Sequence, residues 1–163
     1  MEKTLKQATL VFLIQKFDNN IQNIVLAMKK RGFGMNKWNG VGGKVEPGET
    51  IEQSAIRETQ EEIAVIIKDI VKVAELTFYF SENSDWNQVV HVYFAENWEG
   101  EPIESEEMKP QWYTVDSIPY ENMWPDDIFW LPEVIKGQKL KASFTLDSHD
   151  TILEQHIDIV DEL

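Results

Sequence analysis

Glu58, Glu61 and Glu62 stand at i, i+3 and i+4, a spacing that puts three carboxylates on one face if the segment is helical. Like charges so placed oppose helix formation unless a cation sits among them, and an all-oxygen set suits a hard divalent ion. Mg²⁺ is the natural guest, with Mn²⁺ as a possible substitute. Mg²⁺ keeps several waters and prefers a few carboxylates plus phosphate oxygens, so the cluster points to polyphosphate chemistry more than to a structural metal cage. The plain alternative is a solvated acidic helix face. A second pair of acids, Asp126 and Asp127, is embedded among large apolar residues, Met123-Trp124-Pro125 before it and Ile128-Phe129-Trp130-Leu131-Pro132 after it. If buried, desolvation and mutual repulsion raise at least one pKa, and a carboxyl that either donates or accepts can read the edge of a heterocycle. The alternative is a water-exposed helix cap.

The elements that must position these groups are legible. Thr50 followed by Gln53 has the form of a capping box, and Pro47-Gly48 just before it forces a loop, so the glutamates fall on a helix that starts near Ile51. Ala8 to Gln15 reads as a buried strand, and Asn23 to Met28 as its partner across an Asp18-Asn19-Asn20 turn. The Phe17-to-Gln22 turn is long. Arg31 to Asn36 is a glycine-rich loop carrying Phe33, and Lys37 to Val41 leads into the acidic helix. Lys72 to Phe80 and Val89 to Ala95 are strand-like, with alternation that puts Leu76, Phe78 and Phe80 on one face. Glu99 to Lys109 is a polar loop. Gln111 to Val115 is a short strand, Asp116 to Tyr120 a helical turn, and Glu133 onward a short helix. Lys141 to Leu146 and Thr151 to Val160 close the chain as an antiparallel pair.

The 163 residues suit a single domain, 1–163, with enough apolar content for a core. There is no cysteine, which excludes disulfides and thiolate metal sites. The N-terminal stretch Met1 to Gln7 has no long apolar segment behind a basic one, and no run approaches membrane-spanning length, so a cytoplasmic protein without a membrane partner is expected. The formal net charge of −14 argues against a nucleic-acid polymer as partner. Yet Met28 to Val45 holds Lys29, Lys30, Arg31, Lys37 and Lys44 and no acid, a local positive patch able to hold a small polyphosphate. His91, His149 and His156 lack metal-ligand spacing.

Gly43, Glu49, Arg57, Glu58, Glu61 and Glu62, with Val65 behind them, fall in register with the pattern G-x5-E-x7-R-E-U-x-E-E-x-G-U, where U is a bulky aliphatic residue. On this motif the chain resembles the Nudix hydrolase family. Thr59 replaces one aliphatic and Ala64 the final glycine; neither is a metal ligand. Outside the motif, Met28 to Gly34, Lys37 to Gly40 with Gly42-Gly43-Lys44, Glu106-Glu107-Met108 with Pro110, and Met123 to Asp127 are similar to one branch, the eukaryotic-type MutT homologues, which are oxidised-purine nucleoside triphosphate hydrolases acting as 8-oxo-dGTP diphosphatases. The resemblance covers nearly the whole chain.

It implies an α/β/α sandwich around a mixed sheet, and a monomer that hydrolyses oxidised purine nucleoside triphosphates at the β-phosphorus, cleaning the nucleotide pool. The metal set it implies is the Gly42 carbonyl with Glu58, Glu61, Glu62 and Glu107. The implied base pocket is Thr9, Lys29, Asn39, Phe78, Phe80, Trp124, Asp126, Asp127 and Trp130, with Phe33 and Met108 lining it; Gln88 stands where the branch often has methionine. Glu62 and Glu107 are both candidates for the general base, and Arg57 would orient the glutamates. The alternatives are another modified purine triphosphate such as O6-methyl-dGTP, a dinucleoside polyphosphate, or a non-catalytic nucleotide sensor.

Overall fold

The computed structural model describes residues 5–163; the Met1-to-Thr4 part of the N-terminal reading lies outside them. Eight strands form one mixed sheet: β1 (Lys6–Phe17), β2 (Asn20–Lys29), β3 (Trp38–Asn39), β4 (Ile66–Phe80), β5 (Gln88–Glu99), β6 (Met108–Thr114), β7 (Lys139–Leu146) and β8 (Ile152–Val160). Their order is β3-β2-β1-β5-β4-β7-β8, with β6 paired to β2. The β1–β5 and β4–β7 pairs are parallel and the others antiparallel. Helices α1 (Ile51–Ile63) and α2 (Asp127–Ile135) complete the expected mixed α/β architecture.

Strand β1 explains why the layers form. Its apolar run is buried on both sides, so it cannot show the in–out alternation of a half-exposed strand. Leu10, Phe12 and Ile14 enter one core with Trp130, Leu131 and Val134 of α2. Val11 and Leu13 enter a second core with Ala55 and Ile63 of α1. The two helices thus cover opposite faces of the sheet.

Three sequence expectations change. The Phe17-to-Gln22 stretch is not all turn: β1 and β2 run on to a two-residue turn with Asp18 and Asn19 at φ 51° and 67°, a left-handed pair that Asp and Asn tolerate best. Strand β4 starts at Ile66 instead of Lys72, because register shifts between Ile67 and Asp69, Asp69 and Val71, and Lys72 and Ala74 break its alternation. Helix α2 starts at Asp127 instead of Glu133. Pro132 lies inside it and disguised the segment as a helix boundary.

Helix α1 matches its sequence signals. Thr50 Oγ1 accepts from the Gln53 amide at 3.1 Å, and the Gln53 side chain accepts from the Thr50 amide at 2.9 Å. Thr59 fits the aliphatic position because it is buried with its hydroxyl donating to the Ala55 carbonyl at 2.8 Å. Ala64 ends the helix at φ 61°, ψ 31°, its amide donating to Gln60. It occupies a left-handed cap that glycine would hold without a Cβ penalty.

Candidate active site

The glycine turn before α1 is stitched to β1. The Thr9 amide donates to the Gly43 carbonyl at 2.9 Å, and Val11 and Val41 exchange amide hydrogen bonds. This brings Gly42 and Gly43 against the strand and under the acidic face of α1. A Cβ on Gly42 would fall 1.8 Å from the Thr9 carbonyl oxygen, and one on Gly43 would fall 2.7 Å from the Glu58 carboxylate. Both positions need glycine for close approach, not for φ.

Over this turn, Glu62 is buried and accepts from the Gly42 amide at 3.2 Å. Burial, then the charge of Glu58, pushes its pKa up to about 8. Burial also raises Glu58, against the pull of Arg57. Arg57 sits at the centre of the other acids: its nitrogens lie 2.7 Å and 3.0 Å from Glu49, 2.9 Å from Glu58 and 3.1 Å from Glu61. Glu107 is exposed and pairs with Arg31 at 3.2 Å. Lys30 holds the same loop through Glu104 and, at 2.9 Å, the Ser105 carbonyl.

Among the described residues no three acidic or histidine side chains converge on one point. Glu58 and Glu61 turn to Arg57, and Glu107 to Arg31, so three of the five implied metal donors are drawn toward arginine while Glu62 is held by the Gly42 amide. The donor chemistry nevertheless fits a divalent cation. All five are oxygens, and the buried Glu62 carboxyl feels Glu58 and Glu107 as repulsive charges with Lys29 as its attractive one. The site is short of positive charge where it is best covered from water.

Beside this turn a cavity of about 220 Å³ opens. It gathers Thr9, Lys29, Phe33, Asn39, Phe78, Phe80, Met108, Trp124, Asp126, Asp127 and Trp130, all eleven residues of the base pocket read from sequence, along with Gly42 and Gly43. Gln88 also lines it. Leu76 serves both as core and as lining. Asn39 Oδ1 accepts from the Gly40 amide at 2.9 Å, which orients its side chain. Asp126 and Asp127 are buried, not exposed caps. Trp130 Nε1–H donates to Asp126 Oδ2 at 2.8 Å. Burial, then the charge of Asp126, raises the pKa of Asp127 well above the usual carboxylate range, and burial raises that of Asp126. Among the described residues Asp126 Oδ1 and Asp127 Oδ2 have no hydrogen-bond partner, a cost that a ligand's edge would relieve.

Sequence reasoning placed Lys37 only in a positive patch and missed Trp86. Lys37 stands over the Trp124 ring at 5.2 Å, the cation–π side of the pocket's aromatic wall. Trp86, in a 3₁₀ turn (Ser84–Trp86), contacts the rings of Phe33 and Phe80. The available signal was a lone tryptophan in an otherwise polar loop.

Comparison with known proteins places this geometry in context. A NUDIX domain model matches residues 4–134. An oxidized purine nucleoside triphosphate hydrolase from Danio rerio is 43% identical over 160 residues, covering 98% of this chain and 99% of that protein. One of the same name from Mus musculus is 41% identical over 158 residues, covering 97% of each. Among solved structures, the mutator MutT protein from Bacillus halodurans aligns with a TM-score of 0.79 at 23% identity, over 94% of this chain and 98% of that one.

Proposed function

Because the chain belongs to the Nudix family of hydrolases, we propose that it hydrolyses oxidised purine nucleoside triphosphates such as 8-oxo-dGTP and 2-hydroxy-dATP to the monophosphate and pyrophosphate. The carrying observation is that one cavity is lined both by Gly42 and Gly43, under the acidic helix, and by the buried Asp126 and Asp127. The protein acts as a single-domain cytoplasmic monomer on free nucleotides, clearing damaged precursors before they reach DNA.

Nudix hydrolases use a divalent metal, which in this chain is Mg²⁺ or, in its place, Mn²⁺. The Gly42 carbonyl with Glu58, Glu61, Glu62 and Glu107 would hold it. When bound it supplies neutralisation of phosphate charge and a water of lowered pKa. The chain's own residues do the rest. Arg57 holds Glu49, Glu58 and Glu61 in one arrangement, and a fork of this kind fixes direction as well as charge. Glu62, buried and fixed by the Gly42 amide, would be ionised once a cation offsets its burial and would then take the proton from the water that attacks the β-phosphorus, in preference to the exposed, Arg31-paired Glu107. Lys29 offers a positive charge at the cavity wall.

At the other end, Trp124 and Phe33 offer stacking faces, and Asn39 with the aspartate pair offers donors and acceptors. An aspartate pair that retains one proton presents a donor beside an acceptor. Oxidation changes the donor and acceptor pattern of a purine, so discrimination arises here.

The test is a steady-state comparison of kcat/KM for 8-oxo-dGTP, 2-hydroxy-dATP, O6-methyl-dGTP, dGTP and dATP with Mg²⁺. A preference of tenfold or more for the oxidised nucleotides is expected; equal activity on dGTP overturns the proposal. Loss of pyrophosphate release in Glu62→Gln separates an enzyme from a nucleotide sensor.

A further inference from the structure

The base pocket has a wall that depends on a residue outside it. Phe33 lines the cavity but projects from the loop 31–36, and 56% of it is exposed. The loop backbone turns at Gly32 and Gly34, with φ of +81° and +83°, conformations that leave the Phe33 side chain to be placed by what it touches. It touches two rings. Trp124 lies at 5.1 Å between centroids, inclined by 35°, and Trp86 at 5.7 Å, inclined by 54°. Trp86 also meets Phe80, edge to face, at 5.8 Å. Phe33 and Phe80 both line the cavity and Trp86 does not, so Trp86 joins two lining aromatics of distant sequence from outside the lining.

Its own placement is fixed. The Asn83 side chain accepts from the Asp85 amide at 3.1 Å, and the Trp86 amide donates to the Asn83 carbonyl at 3.1 Å. Asn87 Oδ1 accepts from the Phe80 amide at 2.7 Å, clamping the end of β4 to the turn. Trp86 belongs to neither apolar core and remains 50% exposed, so the fold does not need it. A half-exposed tryptophan whose ring meets two lining aromatics of the pocket is explained by the pocket.

We propose that Trp86 is a positioning residue for substrate binding: it holds Phe33 and Phe80 in place and thereby sets how tightly the purine ring is gripped. The proposal rests on the purine triphosphate reading above. Because the rings that Trp86 meets, Phe33 and Phe80, line the cavity, its contribution falls on binding and not on the chemical step.

The experiment compares the native full chain with Trp86→Ala and Trp86→Phe. It measures equilibrium binding of 8-oxo-dGMP without metal, KM and kcat for 8-oxo-dGTP with Mg²⁺, and Tm. Trp86→Ala is expected to weaken monophosphate binding and raise KM by roughly three- to tenfold, the scale of one or two aromatic contacts. Its kcat and Tm stay near native, and Trp86→Phe recovers most of the affinity. Unchanged affinity and KM in Trp86→Ala, a fall in kcat at constant KM, or equal losses in the Ala and Phe variants each overturn the proposal. Failure of the functional reading looks different, since the native chain would then ignore oxidised purines.

Discussion

Arg57 grips Glu49 with two nitrogens at once, Nε 3.0 Å from Oε2 and Nη2 2.7 Å from Oε1, while its third nitrogen reaches Glu58 and Glu61. Hydrogen bonding from Arg57 is the first cause of a Glu49 pKa lowered from 4.5 to about 2. A depressed carboxylate pKa contributes stability that is present above 4.5 and lost as pH falls toward 2. Arg57→Lys keeps the charge and loses the fork. Its acid unfolding, followed by circular dichroism, should begin at higher pH than in the native chain, and kcat/KM should fall tenfold or more.

Glu62 shows the opposite sign. Its folded pKa of about 8 lies above the ordinary 4.5, so its contribution is intact below pH 4.5 and is lost as pH rises through 8. The metal-free chain should therefore lose stability as pH rises through that window. Glu62→Gln should flatten the loss, raising Tm by several degrees in alkaline buffer and leaving it near native in acid. Mg²⁺ should flatten it in the native chain. The same variant should cut kcat by roughly a hundredfold or more, through loss of the proposed base.

For the aspartate pair, a carboxamide keeps a donor but cannot ionise. Asp127→Asn should remain folded, because it removes a buried acid that is strained when charged. Burial raises both carboxyl pKa values, so in the native chain rising pH removes the shared proton and alters the preference between 8-oxo-dGTP and 2-hydroxy-dATP. In Asp127→Asn, where Asp126 alone titrates, that preference should vary less with pH, as measured by kcat/KM ratios across neutral and alkaline buffers.

The adjacent glycines should fail differently. At Gly42 a Cβ meets the Thr9 backbone carbonyl at 1.8 Å, and backbone cannot swing aside; Gly42→Ala should destabilise by about 3 kcal/mol or more. At Gly43 it meets the Glu58 carboxylate at 2.7 Å, the far end of a flexible side chain. Gly43→Ala should keep its Tm within a few degrees and lose most activity, since Glu58 must leave its place. If both variants lost Tm equally, the distinction would be wrong.

Ala64→Gly should stabilise the chain. The residue sits at φ 61°, ψ 31°, where a Cβ costs about 1–2 kcal/mol, partly offset by glycine's greater unfolded freedom. A net gain of about 0.5–1 kcal/mol, or roughly 2–3 °C in thermal melts, is expected with unchanged activity.

What was legible in the sequence follows from which forces are local. The acidic helix announced itself through Thr50 and Gln53, whose reciprocal capping needs only neighbouring residues. The eleven pocket residues were legible because they sit in segments that resemble a known family. The start of β4 was hidden by its bulges, and that of α2 by Pro132, since both break the period that reading depends on. Pairings across long stretches of chain were out of reach. Arg31 and Glu107 are 76 positions apart, and nothing in either segment specifies the other. Trp86 was passed over because a lone aromatic in a polar loop acquires meaning only once Phe33 is folded beside it.

The acidic helix and the helix carrying the aspartates lie on opposite faces of one sheet, and a single cavity is lined from both ends. Such a layout works as a ruler. In the proposed reaction a triphosphate would have to reach from one end to the other, whereas the shortened product would keep hold only at its ring. On that reading turnover would weaken the hold on the monophosphate, and departure would be built into the span between the two ends.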